Sequence, residues 1–308
     1  MNIKSLDTLI QYAQVSGCID VQCQFQGDWF LKSNNKNNKP GKYKAVVHIV
    51  VEGEGFLKIK GEKESHLLKA GDLVFFTRSA EHILSSQYNC DNSANASELD
   101  KKQNLQLKLT EKGMGKSDLR LFCAHFSYDK YASLFHSLPE YLWTTLESGK
   151  LRSLLYLLQA EVESQEDKSQ LVIDSLSNVL LVEILRSFLA TDPENVEGIL
   201  KGVQDPRLAI LVNHILANPA DNWSVDRMAE KSNFSRAQLM RVFKSKIGVS
   251  PHAFVHQIRL QYAAKLLNAS ASSVFNIALS AGFQSEAHFI QAFKKMYKVT
   301  PSQYRKQA

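Results

Sequence analysis

The sequence predicts an α+β chain of two domains, in which a strand-rich N-terminal part precedes a helical C-terminal part. Its 308 residues are enough for two separate hydrophobic cores. Short β-branched and aromatic segments separated by glycines fill residues 18–126, whereas apolar side chains recur at three-to-four spacing after residue 131. The composition, 44% hydrophobic and 22% charged, excludes a disordered or fibrous chain.

The N-terminal part begins with a predicted helix and continues as a β-domain. Residues 1–16 place apolar side chains at helical spacing. The segments that follow, such as KAVVHIVVEG and HLLKAGDLVFFTR, favour a compact antiparallel sandwich or barrel within residues 1–130. Residues 85–118 are rich in Asn, Ser, Lys and Gly, which predicts a long mobile loop between two strands.

The middle of the chain, residues 131–204, predicts helices that connect the two domains. One of these helices has a broad apolar face, which suits packing within one chain and also suits a dimer interface. Both interpretations stay open, and we expect a homodimer that uses this region. A linker with two prolines, residues 191–207, leads into the C-terminal domain, residues 205–308. The apolar face comprises Leu171, Leu176, Val179, Leu180, Ile184 and Leu185.

Positive charge is concentrated in the C-terminal domain. Residues 205–308 carry 14 Lys and Arg against 5 Asp and Glu, whereas residues 1–204 carry 23 against 26. A basic module on a slightly acidic chain is the electrostatic pattern expected of a nucleic-acid-binding domain. A solvated basic surface without a partner is the alternative, and charge alone does not separate the two.

The C-terminal domain contains one helical unit written twice, about fifty residues apart. In each copy a serine, Ser235 or Ser285, caps a longer helix that follows a short helix and a tight turn. Lys298 stands where the first copy has Gly248. Because a left-handed cap is strained at lysine, we expect a slightly different turn there. The matching pairs are Ser235/Ser285, Ala237/Ala287, Phe243/Phe293, Lys244/Lys294, Val249/Val299 and Pro251/Pro301, with Val225/Val274, Ala229/Ala278 and Phe234/Phe283 offset by one residue fewer.

A short helix, a tight turn and a longer helix form the helix-turn-helix plan. The longer helix, here called the reading helix, lies in the DNA major groove and presents its N-terminal residues to base edges. A single unit of this kind also occurs in proteins that never bind DNA. Two copies on a basic segment, joined by one helix over residues 251–270, predict two reading helices roughly 34 Å apart, one DNA turn.

This C-terminal domain resembles the DNA-binding domain of the AraC/XylS family of transcription regulators. The resemblance covers residues 205–305 and is carried by SRAQLMRVFKSKIGVSPHAF and SEAHFIQAFKKMYKVTPSQY. The strand-rich region is similar to the cupin-like sensor that precedes this domain in many family members. The residues in the connecting helix and turn that match the family pattern are Arg259, Leu260, Ala264, Leu266, Leu267, Gly282 and Phe283.

The resemblance implies both a fold and a function. The fold is an N-terminal cupin-like β-barrel with flanking helices and a C-terminal all-α domain with two helix-turn-helix units. The function is a regulator, expected to be a homodimer, that binds promoter sites in double-stranded DNA and contacts RNA polymerase. Activation is the expected mode, and repression stays open as the alternative. An effector, either a small molecule or an oxidant, would act on the cupin-like domain.

The resemblance also assigns residues to the DNA interface by position. Arg241 is the strongest of them, because a guanidinium binds guanine O6 and N7 in a bidentate way. Glu286 would accept from cytosine and Gln291 would pair with adenine. Lysines after these positions contact phosphates, which position the protein without specifying a sequence. The base-facing set is Arg236, Ala237, Met240, Arg241, Glu286, Ala287, His288 and Gln291, and the phosphate set is Lys244, Lys294 and Lys295.

The β-domain offers few metal ligands. Metal-binding cupins supply two His and a Glu from one motif and a further His from another, but this chain has only His48 and His82 at those places. Two histidines are too few for a zinc-type site. His66 or His125 could join them, although pocket-lining or core histidines are the simpler interpretation. We expect no metal, no other cofactor and, because no nucleophile–base arrangement is visible, no catalysis.

Cysteines are the other candidate sensor residues. Cys23 and Cys123 occupy places where a redox-responsive subset of these regulators, which senses oxidants such as reactive chlorine, also carries cysteine. Cys18 is an alternative partner for either thiol. A sensing thiol needs thiolate character and access. The opposing interpretation is that these cysteines are small buried hydrophobes.

Location and alternative functions complete the sequence-based expectations. The chain has no run of about 18 apolar residues, and its N-terminus lacks a signal peptide, so we expect a cytoplasmic protein that does not enter a membrane. One alternative is a metal-dependent cupin enzyme with an incidental basic domain. Another is a structural protein that binds DNA without sequence preference.

Overall fold

The computed structural model groups the chain into two compact units. Unit 1 combines the C-terminal domain with two short segments from the N-terminal half, and unit 2 contains the β-domain with the helices that follow it. The division into three consecutive segments made from the sequence stays a prediction. The structure describes residues 3–33, 41–78, 80–89, 100–104, 107–112, 118–146, 149–164 and 169–307. Unit 1 is Met1–Gln14, Asp129–Pro139 and Glu194–Ala308, and unit 2 is Val15–Tyr128 and Glu140–Pro193.

The secondary structure follows the predicted order of strands before helices. The strands are β1 Ser16–Phe25, β2 Phe30–Ser33, β3 Lys42–Ile59, β4 His66–Lys69, β5 Asp72–Phe76, β6 His82–Ser85, β7 Asp100–Asn104, β8 Leu107–Lys112, β9 Leu119–Asp129 and β10 Tyr141–Thr145. The helices are α1 Ile3–Ala13, α2 Ser133–His136, α3 Gly149–Glu163, α4 Gln170–Thr191, α5 Gly198–Gly202, α6 Pro206–Ala217, α7 Val225–Lys231, α8 Arg236–Ile247, α9 Pro251–Ala269, α10 Val274–Ser280, α11 Glu286–Tyr297 and α12 Pro301–Lys306. No helix among the described residues is long and apolar enough to cross a membrane.

The strands of unit 2 form one sheet. Its main path runs β10-β5-β3-β9-β1-β8-β7, while β4 and β6 pair with the second half of β3, and β2 pairs with β6. The long strand β3 can serve both groups because it turns at Gly53, whose φ is +82°. A Cβ atom at Gly53 would lie 1.8 Å from the carbonyl oxygen of Asp118, so only glycine fits this close approach.

Strands occupy part of the segment that the sequence predicts as a loop. The hairpin of β7 and β8 falls within residues 85–118, and β8 pairs in parallel with β1. The polar composition of this segment hides a short alternation of Leu107 and Leu109 with polar residues, which is the pattern of a strand. Residues 90–99, 105–106 and 113–117 lie outside the described part of the chain, and Cys90 is among them.

The core of the β-domain fills the space enclosed by the sheet. Phe25 and Trp29 stack with ring centroids 4.2 Å apart, and both cysteines of interest belong to the same cluster. Side chains along a β-strand point alternately to its two faces, and Cys23 and Cys123 lie on the face that is turned toward the core. The buried members include Cys23, Phe25, Trp29, Val46, Val50, Leu57, Ile59, Leu68, Val74, Phe76, Leu84, Leu119, Leu121 and Cys123.

Helices α3 and α4 complete unit 2, with α4 packed against β1 and β10. Of the predicted apolar face, Leu180, Ile184 and Leu185 are buried against the unit. Leu171 and Val179 instead are exposed, and Leu176 is intermediate. The exposed apolar side chains of this helix pair are Tyr156, Leu157, Leu171, Val172 and Val179.

In unit 1 a serine caps both helices of each helix-turn-helix copy, including the predicted caps Ser235 and Ser285. The hydroxyl groups of Ser224 and Ser235 accept backbone N–H bonds at the starts of α7 and α8, and Ser273 and Ser285 do so for α10 and α11. Both reading helices end in a left-handed residue. Gly248 has φ +87° and Lys298 has φ +66°, so the lysine keeps the same class of turn despite its side chain.

Two segments from the N-terminal half pack onto the helices of unit 1. The hydroxyl of Tyr12 in α1 donates to the carbonyl oxygen of Leu216 at 2.8 Å. Tyr304 in α12 donates to the buried carboxylate of Asp129 at 2.8 Å and accepts from the side chain of Gln14 at 3.2 Å. The C-terminal helices therefore have partners far away in sequence, which residues 205–308 alone do not supply.

Candidate functional site

Reading helix α8 presents its predicted base-facing residues to solvent. Arg236, Ala237, Met240 and Arg241 are all exposed, while Leu239 is fully buried on the opposite side. A capping box between Ser235 and Gln238 starts this helix, as its hydrogen bonds are made in both directions. The first turn is thus held firmly at the end that would meet base edges.

Arg236 has an acidic neighbour within unit 1. Its guanidinium contacts the carboxylate of Asp226 in the first turn of α7, although both side chains are mostly exposed. Exposed pairs of this kind are worth little, at about 0–1 kcal/mol. Arg241 is exposed on the same helix, and the guanidinium of Arg241 therefore remains the better candidate for a bidentate base contact.

Reading helix α11 has the same construction with different side chains. Ala287, His288 and Gln291 are exposed, and Glu286 is half-buried in the first turn. Phe289 on the opposite side is fully buried. The structure therefore places both predicted base-facing sets on exposed surface, but the first set carries two arginines and the second carries none.

The lysines predicted to contact phosphates lie in the last turns of the reading helices. Lys244 in α8 and Lys294 and Lys295 in α11 are exposed. Cationic side chains are also favourable near a helix C-terminus, because they interact with the helix dipole. Their position suits phosphate contacts. The favourable interaction with the helix dipole is a second reason for lysine at these places, and it does not require DNA.

A chain of hydrogen bonds in the β-domain joins the two cupin histidines to a cysteine. The Nδ1 atom of His48 lies 3.1 Å from the Sγ atom of Cys123, and its Nε2 atom lies 2.8 Å from Nε2 of His82. The Nδ1 atom of His82 lies 2.8 Å from the carbonyl oxygen of Ala80. All three side chains are buried, so these bonds form away from bulk water.

The direction of each bond follows from the acceptor at one end. A carbonyl oxygen only accepts, so Nδ1 of His82 carries hydrogen and donates to Ala80. Burial lowers the pKa of His82 to about 4, which leaves its Nε2 bare as an acceptor for Nε2–H of His48. Nδ1 of His48 then accepts from the thiol of Cys123.

His48 is neutral for the same electrostatic reasons. Burial is the main cause that holds the pKa of His48 well below its ordinary value, followed by the nearby His82 and His125. A neutral imidazole next to a thiol is a proton acceptor, and the chain continues to His82. His48 therefore accepts a hydrogen bond from the thiol of Cys123, while its lowered pKa makes the imidazole a weak base.

The histidines do not form a metal site in the described part of the chain. No group of three or more His, Cys, Asp or Glu side chains there is arranged to hold an ion. His66 does not join His48, because its ring contacts the Glu62 carboxylate and packs 5.8 Å from Trp143. His48 and His82, the weak metal candidates, bond to each other.

The two predicted sensor thiols lie on neighbouring strands. Cys23 in β1 is opposite Leu121, and Cys123 in β9 is opposite Val21, so the thiols are diagonal neighbours on one face. Diagonal positions have Cα atoms about 7–8 Å apart. A disulfide needs about 4.4–6.8 Å, so the two thiols are near but not poised to bond. The side chain of Cys18 lies outside the described structure.

A cavity reaches the outer end of this hydrogen-bonded chain. It has a volume of about 370 Å³ and is lined by His82 together with Lys32, Lys58 and Ile83 among others. Ile83 pairs with Lys32 on one side and with Lys58 on the other. His48 in β3 and Cys123 in β9 are far apart in sequence, and the pairing of these two strands brings them together. No local sequence pattern indicates this contact.

Comparisons with known proteins agree with this division into two functional parts. Residues 5–190 match the protein family described as Cupin, and residues 228–307 match the family described as Helix-turn-helix domain. The first match spans the β-domain with α3 and α4. The second spans both reading helices.

Relatives along nearly the whole chain are regulators. The HTH-type transcriptional regulator MtrA of Neisseria gonorrhoeae is 42% identical over 303 residues, covering 98% of each chain. An uncharacterized HTH-type transcriptional regulator of Haemophilus influenzae is 38% identical over 301 residues, again covering 98% of each. The RCS-specific HTH-type transcriptional activator RclR of Escherichia coli K12 is 25% identical over 308 residues, covering 98% of this chain and 96% of its own.

Proposed function

Because the chain belongs to the AraC family of HTH-type transcriptional regulators with an N-terminal cupin domain, we propose that it inserts α8 and α11 into successive major grooves of promoter DNA. It is a DNA-binding regulator rather than an enzyme, as its relatives are. The observation that carries the proposal is the duplicated helix-turn-helix unit, whose base-facing positions are exposed or half-buried in both copies. Recruitment of RNA polymerase and a cytoplasmic location, where promoter DNA is found, belong to the same proposal.

Footprinting with purified protein tests the reading of DNA. After selection of a binding site from random duplexes, Arg241→Ala is compared with Lys246→Ala, which removes an exposed charge from the last turn of the same helix. We expect Arg241→Ala to cost about 1–3 kcal/mol and to relax preference at one base pair. Lys246→Ala should weaken all sequences slightly and equally.

A uniform loss with Arg241→Ala would instead support a structural protein without sequence preference. In vitro transcription from the selected site then tests whether the bound protein recruits RNA polymerase. An increase in transcript that requires both the site and the protein supports activation, and a decrease overturns that part of the proposal.

The sensor proposal concerns the thiol of Cys123. The hydrogen bond from Cys123 to His48 supports an oxidant-responsive role, because it orients the thiol within the β-domain. Both thiols are buried, so the oxidant must enter the β-domain to reach them. With a hypohalous acid as oxidant, sulfur displaces hydroxide from chlorine and becomes a sulfenyl chloride, and hydroxide with the thiol proton forms water. The second thiol, Cys23, then attacks this sulfur, displaces chloride and loses its proton. The products are a disulfide between Cys23 and Cys123, chloride and a proton.

Formation of that disulfide would move the strands. Because Cys23 and Cys123 are diagonal neighbours, β1 and β9 must shift before the sulfur atoms bond. Each of these strands continues directly into a segment of unit 1, since β1 follows Gln14 and β9 ends at Asp129. In this proposal oxidation acts on the unit that binds DNA through the covalent continuity of the chain.

Cysteine variants test this proposal. Cys123→Ser and Cys23→Ser should each abolish the response of DNA binding to hypochlorite, while Cys90→Ser, a thiol outside the described residues, should respond as the wild type does. His48→Gln should slow alkylation of Cys123 without removing either sulfur. If the two serine variants respond normally, the thiol proposal fails and a small molecule in the 370 Å³ cavity becomes the alternative effector.

The dimer proposal rests on α3 and α4. Tyr156 is 73% exposed and Leu171 is 77% exposed, and they lie on helices of the same packed pair as Val172 and Val179. Isolated apolar residues on a surface are ordinary, but a group of five on two adjacent helices suits the same face of a second copy. Sedimentation of Leu171→Glu should show a shift toward monomer, whereas Leu67→Glu, at an exposed leucine of β4, should not.

A further inference from the structure

A basic cavity lies between the connecting helix α9 and reading helix α11. Its volume is about 560 Å³, and its walls include His256 and Gln257 from α9 and His288, Gln291 and Lys295 from α11. Two of these, His288 and Gln291, are among the predicted base-facing residues. Helix α9, which joins the two copies, therefore shares a surface with the second reading helix.

His256 lines this cavity next to the ring of His288. Its ring centroid lies 6.0 Å from that of His288 and 5.5 Å from that of Phe283. Burial lowers the pKa of His256, and the charges of His288, Arg259 and Lys295 lower it further. No carboxylate is found among the described residues that line the cavity, so its positive charge has no counter-charge there.

The fixed charge beside His256 is not available for another ligand. The guanidinium of Arg259 donates to the carbonyl oxygens of Pro219 and Asp221, each at 2.8 Å. Arg259 therefore adds positive potential without leaving its place. A concave surface lined by one sign of charge raises the local concentration of counter-ions, and the anion next to a DNA base-reading surface is a phosphodiester.

We propose that this cavity binds a phosphate of the DNA backbone, with His256 and Lys295 as its charged ligands beside the base-facing His288. The proposal rests on the DNA-binding function proposed above and adds a contact from α9. It gives the second copy, which lacks the arginines of the first, an anchor of its own. The first copy is followed by the long helix α9, whereas the second copy is followed by the short helix α12. Comparison of the two copies therefore does not reveal this contact between α9 and α11.

Protonation of His256 makes the affinity for DNA depend on pH. His256 is mostly neutral in the free protein near pH 7, since its pKa is lowered below 6.5. A phosphate beside the ring favours the charged form, so DNA binding takes up a proton at this site. The groups that face the ring are His288 and Lys295 from α11 and Arg259 from α9, all cationic or neutral. Affinity should consequently rise as pH falls from 7.5 to 6.0.

The test measures binding of the full chain to its selected duplex at pH 7.5 and pH 6.0 over a series of salt concentrations. Wild type is compared with His256→Gln and His256→Lys. The matched control is His214→Lys, which adds the same charge at an exposed histidine of α6 outside this cavity. Each phosphate contact adds about 0.9 to the slope of log K against log salt.

Distinct outcomes are expected for the three variants. His256→Lys should steepen the slope by about 0.9 at pH 7.5, and His256→Gln should reduce it by up to about 0.9 at pH 6.0. His214→Lys should change neither slope by as much. Equal slopes for wild type and both His256 variants would overturn the phosphate contact. If wild type itself selects no duplex, the DNA-binding proposal fails instead, so the two failures are distinguishable.

Discussion

The core of the β-domain around Cys123 and the core beneath α11 contain different types of side chain. In the β-domain a hydrogen-bonded chain of one thiol and two imidazoles crosses an apolar interior. Beneath α11, rings stack on rings, with Phe293 and Tyr297 centroids 4.3 Å apart and Phe289 beside them. The core of the β-domain contains imidazoles and thiols that can change protonation or oxidation state. The core beneath α11 depends mainly on ring packing, together with a buried hydrogen bond from Tyr304 to Asp129.

This difference predicts that the two cores lose stability under different changes. Buried polar groups cost free energy unless each one is paired, so the chain through His48 is sensitive to any change of proton or atom. An aromatic core tolerates changes of solution conditions but not changes of volume. We therefore expect the stability of the β-domain to depend on pH, and the stability of the helix-turn-helix core to depend on the volume of its rings.

The largest expected loss of stability follows from a substitution in the aromatic core. Phe293→Ala removes a fully buried ring that contacts Phe289, Tyr297 and Tyr304, and it should lower the free energy of unfolding of unit 1 by about 3–5 kcal/mol. Urea denaturation followed by hydrogen exchange in peptides of each unit measures this. Phe275→Ala, at a ring of α10 that is 49% exposed, is the control and should cost less than about 0.5 kcal/mol.

A second expectation concerns acid and the β-domain. The folded-state pKa of His82 is about 4, below the ordinary 6.5, so the unfolded chain binds the proton more readily. Stability is therefore complete above pH 6.5 and is lost as pH falls toward 4. At pH 5 the loss is about 2 kcal/mol for His82, and His48, whose pKa is also lowered, adds to it.

Hydrogen exchange at several urea concentrations, at pH 7.5 and pH 5.0, measures this loss unit by unit. Peptides from β3 and β6 should report a lower unfolding midpoint at pH 5.0. His82→Gln keeps an amide donor and acceptor but does not titrate, so it should reduce the pH dependence. A pH dependence that is unchanged in His82→Gln would show that other groups cause it.

Much of the helical unit was predictable from sequence, because its rules are local. The caps at Ser235 and Ser285 are placed correctly from residue type, and the exposed positions of both reading helices follow from 3.6-residue periodicity. His256 was missed because its meeting with α11 depends on the crossing of two helices. The bond between His48 and Cys123 was missed for a similar reason, since sequence spacing does not reveal which strands become neighbours.

A third expectation separates the two cysteines. Cys123→Ala removes the donor to His48 and leaves a buried nitrogen unpaired, so it should cost about 1–3 kcal/mol in the β-domain. Cys123→Ser keeps a donor and should cost less. Cys23→Ala, at an equally buried thiol on the neighbouring strand, serves as the volume-matched control. Equal costs for the two alanine variants would mean that packing, and not the hydrogen bond, sets the stability.

The smallest effect concerns the residue type at the left-handed position that ends each reading helix. Lys298 adopts the left-handed conformation that glycine supplies at Gly248. A side chain costs about 1–2 kcal/mol there, while glycine costs about 0.5–1 kcal/mol of unfolded-state entropy. Lys298→Gly should therefore stabilise unit 1 by roughly 0.5–1 kcal/mol. Lys298→Gln removes the charge without relieving the backbone and should change stability little.

Gly248→Lys should destabilise by about the same amount as Lys298→Gly stabilises, because no atom near Gly248 would clash with a new side chain and backbone strain alone remains. Urea denaturation of the three variants, with hydrogen exchange to assign the change to unit 1, measures these differences. If the two substitutions do not have opposite signs, the lysine turn is stabilised by something other than its backbone conformation.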